Sequence, residues 1–98
     1  MTRVVDAEGA HLAAVLRAAD FTGRRVLEVG CGDGRLTLGL AERAASVVAF
    51  DPEADLVAAA RTRISGEMRE KVRFDVASAE EIEVEPQSID TVFFSWSL

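Results

Sequence analysis

Three glycines at alternate positions, Gly30, Gly32 and Gly34, follow an apolar run that holds one acid, Glu28, between Leu27 and Val29. Glycine takes positive φ at no steric cost and lets a ligand approach with no Cβ in the way. A helical pattern starts at Arg35, and a helix start presents free N–H groups and the positive end of its dipole. Strand, glycine turn and helix in that order suit an anionic or strongly polar guest, such as a phosphate or a carboxylate. The second residue with chemistry is Asp51, 21 residues after Gly30 and at the end of the next apolar run. A carboxylate there can accept both hydrogen bonds of a ribose diol. Capping the next helix is the simpler role for Asp51, and a capping acid can also bind a ligand.

The elements that must position these residues follow from periodicity. Leu12, Val15, Leu16 and Ala19 share one face of a helix expected over 6–20, with Asp6 as its cap and Gly9 as a weak point. His11, beside that face, reads as a surface histidine, and Gly23 as the stop. The run 25–29 is apolar enough for a strand buried on both faces, as in a parallel sheet. A helix is expected over 34–44, with Leu36, Leu40 and Ala44 inward. The run 46–50 is the next strand, after which Asp51 suits an N-cap and Pro52 the first helical position. That helix is expected to reach about Ile64, with Leu56, Val57, Ala60 and Ile64 inward. Glu53 and Asp55 lie in its first turn and Arg61 and Arg63 in its last, as the dipole prefers. Gly66 is a stop, 67–71 a charged solvated stretch, 72–76 a strand, and 78–82 a single helical turn. Pro86, Gln87 and Ser88 make a turn before a fourth strand over 89–95. The alternation predicts an α/β sheet with right-handed crossovers. Ligands in such sheets bind at the carboxyl ends of strands. The glycine turn, Asp51, the residues 78–80 and Ser95 all fall at or just past such ends.

Two glycine fingerprints compete. The dinucleotide form needs Gly-x-Gly-x-x-Gly, and its third position falls here on Arg35. The chain instead reads Glu28-x-Gly30-x-Gly32-x-Gly34, and the nine residues 26–34 closely resemble the first motif of class I S-adenosylmethionine-dependent methyltransferases. The stretch 72–82 resembles the part of that family against which the adenine lies, with Ala79 and Glu80 matching and Ser78 standing where Asp is common. The stretch 88–98 resembles the family's fourth strand, with Ser95 and Trp96 where the methionine part is met and the substrate pocket begins. The resemblance implies a Rossmann-like methyltransferase fold, a mostly parallel sheet whose four strands lie in the order 3-2-1-4, and S-adenosylmethionine as cofactor. By the same resemblance Glu28 serves the cofactor's amino end, and N–H groups around Gly30, Cys31, Gly32 and Gly34 its carboxylate. Asp51, followed by Pro52, holds the ribose. Leu56 and Ala79 pack on the adenine beside Ser78 and Glu80. The implied reaction is methyl transfer to a small-molecule acceptor, with no residue assigned as general base. Cys31 reads mainly as a small residue fitting the turn, although a helix start lowers a thiol pKa and would favour reactivity.

The totals set bounds. Ninety-eight residues make one domain at most, and 49% hydrophobic content supports a core. A net charge of −6 argues against nucleic acid or an anionic membrane as partner. No apolar run approaches the roughly 18 residues of a membrane span, and the first residues lack a signal peptide's apolar centre. One cysteine allows no internal disulfide and no metal-ligand spacing. A cytoplasmic protein is the expectation. The resemblance covers about 21–98, the first half of a domain that has seven strands when complete. The chain is therefore expected to be the N-terminal, cofactor-binding half of a truncated fold. Its fourth strand is expected as an open edge, with Val92, Phe93, Phe94 and Trp96 lacking neighbours, so that the chain is a fragment or forms a homo-oligomer, such as a dimer, through that edge. A non-catalytic oligomerising module and an NAD-binding oxidoreductase fragment are the alternatives, the second disfavoured by Arg35. Glu80, Glu81, Glu83 and Glu85 read as a solvated face, and Arg24, Arg25 and Arg35 as surface charges.

Overall fold

The computed structural model describes residues 3–6, 21–82 and 88–95. The strands are β1 (Arg3–Asp6), β2 (Arg25–Val29), β3 (Ser46–Asp51), β4 (Val72–Val76) and β5 (Thr91–Phe94). The helices are α1 (Arg35–Ala41), α2 (Ala54–Arg63) and α3 (Met68–Lys71), with a 3₁₀ turn at Ala79–Glu81. All four strand pairings are parallel, and the sheet order is β1-β5-β2-β3-β4. The four strands expected from the sequence occupy the order expected of them, here β4-β3-β2-β5. After Arg25 the central strand β2 is apolar except for Glu28, and these last four residues are buried. Both of its neighbours are strands, which is why a near-continuous apolar run is stable there.

The open edge is corrected. β1 pairs along the outer side of β5, with Val4 opposite Val92 and Val5 opposite Phe93. Asp6 is the last residue of that strand, and the helix it was expected to cap lies outside the described residues. Residues 7–20, where the first helix and His11 were expected, lie outside the described residues, as do 83–87 and Trp96. The edge strand opposite β1, β4, carries Arg73 and Asp75 bridged at 2.7 Å. Charges of this kind discourage pairing with another chain.

One face of the sheet packs on α1 and α2. Val26, Val47, Ala49, Val72, Phe74 and Phe93 meet Leu36, Leu40, Ala41, Val57 and Ala60 in a single buried cluster. Phe21 joins it by stacking on Phe93, with ring centroids 5.4 Å apart and planes 17° from parallel. Such a pair adds about 0.5–1.5 kcal/mol beyond the area it buries. Three further expectations are revised. Helix α2 starts at Ala54 with Glu53 as N-cap, so Asp51 and Pro52 precede it. Leu56 is not inward but 40% exposed. The charged stretch 67–71 is not wholly solvated, because α3 forms there with Met68 packed against the core.

Candidate functional site

The strand order reverses at β2, since β3 and β4 lie on one side of it and β5 on the other. A crevice opens at such a switch point, outside the carboxyl ends of the strands. The glycine loop leaves β2 at that place. Gly30, Gly32 and Gly34 have φ of 82°, 56° and 83°, all in the left-handed region. They do different work. A Cβ on Gly34 would lie 2.9 Å from the Cβ of Ala60 and 3.1 Å from the Cζ of Phe74, so this glycine lets the start of α1 pack on α2 and β4. A Cβ on Gly32 would meet nothing within 4 Å, so this glycine faces open space.

The loop is held from beneath. The N–H groups of Gly30 and Cys31 both donate to the Phe50 carbonyl, at 2.8 and 2.9 Å. Gly32 N–H donates to Asp51 Oδ2 at 2.9 Å, and Gly34 N–H to the Cys31 carbonyl at 3.1 Å. The N–H groups expected to meet a carboxylate therefore already have acceptors inside the protein. Asp51 is buried at the end of β3 and uses its other oxygen, Oδ1, to accept from Glu53 N–H at 2.8 Å. A carboxylate oxygen has two lone pairs, so each retains one. Asp33, in the loop, pairs with Arg35 at 3.0 Å and with Arg63 at 3.3 Å, tying the loop to the end of α2. Arg25 and Asp90 pair at 3.1 Å where β2 and β5 begin, far along the strands from the loop.

Glu28 is completely buried one residue before Val29. Its Oε1 accepts from the Thr37 hydroxyl of α1. Its Oε2 lies 2.6 Å from the Ser95 hydroxyl, which is also 3.1 Å from the Gly30 carbonyl. Ser95 N–H extends the sheet ladder to the Val29 carbonyl at 2.9 Å. Burial raises the Glu28 pKa, the two hydroxyl contacts oppose that, and the charge of Asp51 adds to it. Cys31 is buried in the core cluster. The lowering of the thiol pKa that a helix start would favour is reversed, because burial first and then nearby carboxylate charge, that of Asp51 included, push it up to about 12.

The structure thus gathers Glu28, Gly30, Cys31, Gly32, Gly34, Asp51 and Ser95 around one strand-end rim. Pro52 follows on the surface, and Leu56 is exposed in the first turn of α2. The Ala77 N–H donates to the Asp51 carbonyl at 3.1 Å, which brings the end of β4 to the same rim. Past it, Ser78 and Glu81 form a capping box at the 3₁₀ turn, with the Ser78 hydroxyl 2.9 Å from Glu81 Oε1, while Ala79 and Glu80 are exposed. Sequence reasoning missed Thr37. Its signal was a hydroxyl beside Leu36 on the inward face of a helix, which needs a buried partner. A cavity of about 540 Å³ lies on the other face of the sheet, lined by Val48, Phe50, Arg73, Asp75, Ile82 and Ile89 among others, and includes none of the glycine loop. Among the described residues no group of three His, Cys, Asp or Glu could hold a metal ion.

Comparison with known proteins places this geometry. A family described as a methyltransferase domain matches residues 26–98. The magnesium-protoporphyrin O-methyltransferase of Rhodobacter capsulatus is 47% identical over 57 residues, 58% of this chain and 25% of that protein. Phosphoethanolamine N-methyltransferase 1 of Triticum aestivum is 38% identical over 81 residues, 80% of this chain and 16% of that protein. The chain thus spans a quarter or less of the length of these two relatives. Among solved structures, the Haemonchus contortus phosphoethanolamine N-methyltransferase 1, in complex with phosphoethanolamine and S-adenosylhomocysteine, superposes with a TM-score of 0.74. That alignment is 24% identical and covers 85% of this chain and 18% of the other, a likeness of fold.

Proposed function

The chain belongs to the methyltransferase-domain family, and from that premise we propose that it supplies the cofactor-binding part of an enzyme moving a methyl group from S-adenosylmethionine to a small-molecule acceptor. The observation that carries the reading is the meeting of Gly32 and Asp51. A backbone with open space above it and a buried carboxylate with two remaining lone pairs stand 2.9 Å apart, N to Oδ2, at the switch point of a parallel sheet. These residues fit the cofactor. Asp51 can accept from both hydroxyls of a ribose. Leu56, exposed just beyond it, offers apolar surface for a purine. The Gly30 carbonyl and the Ser95 hydroxyl supply acceptors for an ammonium group, with Glu28 behind Ser95. When bound, the cofactor supplies a methyl carbon made electrophilic by its sulfonium. The task of this chain is then to hold that carbon in line for an acceptor.

The two curated relatives bear the names of an oxygen and a nitrogen methyltransferase, yet both share this stretch. That supports placing cofactor binding in this chain and acceptor choice in the remainder of such proteins. Titration calorimetry with S-adenosylhomocysteine and with NAD tests the reading. Binding of the first alone is expected. Asp51→Asn should weaken it by about 1–3 kcal/mol, the worth of a hydrogen bond to a charged group. Binding of NAD in preference, or an unchanged affinity in the variant, would remove the assignment.

A further inference from the structure

The Ser95 hydroxyl has one proton and stands between two acceptors, Glu28 Oε2 at 2.6 Å and the Gly30 carbonyl at 3.1 Å. A carbonyl can only accept, whereas a carboxyl group accepts when ionised and also donates when protonated. The two states of Glu28 therefore impose two different chains. With Glu28 protonated, Thr37 donates to Glu28, Glu28 to Ser95, and Ser95 to Gly30, so every acceptor has one donor. With Glu28 ionised, Ser95 must turn its proton to Glu28, and the Gly30 carbonyl loses its donor.

The surroundings select the first state in the free protein. Glu28 is fully buried, and among the described residues it forms no ion pair. Among the described residues, the charged or titratable groups that bear on it are Asp51, of like charge, and the Cys31 thiol, itself held protonated. A buried carboxylate without a counter-cation keeps its proton. Thr37 from α1 and Ser95 from beyond β5 contribute hydroxyls and no charge.

We propose that Glu28, Ser95 and Gly30 form a proton-linked receptor for an ammonium group. A cation seated at the Gly30 carbonyl turns the Ser95 hydroxyl toward Glu28, and Glu28 releases its proton to solvent. This rests on the reading that an S-adenosylmethionine-type cofactor lies at this rim, since its amino-acid end carries the ammonium. The balance is simple. A neutral Glu28 and a charged ligand become a carboxylate paired with that ligand through Ser95, plus one proton in the buffer. No bond to the ligand forms and no electron moves. Affinity for the ligand then rises with pH, up to about tenfold per unit while the free protein holds the Glu28 proton.

Calorimetric titration of the full chain with S-adenosylhomocysteine, in two buffers of different ionisation enthalpy near pH 6, counts the proton directly. An α-amino group is fully protonated at about that pH. Release approaching one proton per bound ligand is expected, with none for 5′-methylthioadenosine, which lacks the ammonium. Glu28→Gln should bind with no release. In the unsubstituted protein, the ¹³C resonance of the Glu28 carboxyl should move from its protonated to its ionised position on binding. Binding without proton release, release that persists in Glu28→Gln, or an unmoved resonance would overturn the linkage alone. No binding at all would overturn the cofactor reading and the linkage together.

Discussion

At the scale of single residues, the loop's one thiol shows how burial outweighs local position. Cys31 sits among glycines before a helix, a place that by itself lowers a thiol pKa. Its side chain instead enters the core, and two nearby carboxyl groups add to the cost of a thiolate. With its pKa pushed up to about 12, Cys31 should react with iodoacetamide far more slowly in the native protein than in denaturant. At about pH 8 the difference should exceed roughly a hundredfold, since an ordinary thiol titrates near 8.5. Equal rates would show a thiol open to solvent. Thr37 and Ser95 carry the complementary lesson. Each is buried, and each finds its partner in the same acid, one from 9 residues away and the other from 67.

At the scale of elements, the glycine turn joins two requirements in five residues. Gly34 satisfies packing, because α1 can approach Ala60 and Phe74 only without a Cβ. Gly32 satisfies access, because its missing Cβ leaves open space above an N–H anchored on Asp51. Parallel substitutions separate the two. Gly34→Ala should destabilise the fold by about 2–4 kcal/mol, combining overpacking with a left-handed alanine. Gly32→Ala incurs only the conformational cost, about 1–2 kcal/mol, and should lose affinity for S-adenosylhomocysteine disproportionately. Urea unfolding and calorimetry on both variants decide it. Equal stability losses, with equal losses of binding, would deny the division of labour.

At the scale of the whole molecule, β1 changes what the sheet presents. Without it β5 would expose a row of unpaired backbone groups. Deleting residues 1–6 should therefore produce concentration-dependent association, read by light scattering across a dilution series. A deletion variant with the same mass distribution as the full chain would show that β1 does not guard this edge.

The strand, glycine turn and helix, and the acid closing the next strand, could be read from the chain because each is a local pattern. The apolar run 26–29 is buried wherever a parallel sheet forms, the alternation of 72–76 suits an edge strand, and positive φ is open to glycine whatever surrounds it. The sheet order followed from resemblance to a family with the same motif. β1 could not be read, since Arg3–Asp6 is four residues long and becomes a strand only by pairing with Thr91–Phe94. Nor could the closing of Glu28 by Ser95, 67 residues away, or the capture of the loop's N–H groups by Phe50 and Asp51. Hydrogen bonds between distant segments depend on how strands are brought side by side, and that approach is decided only when the core has packed.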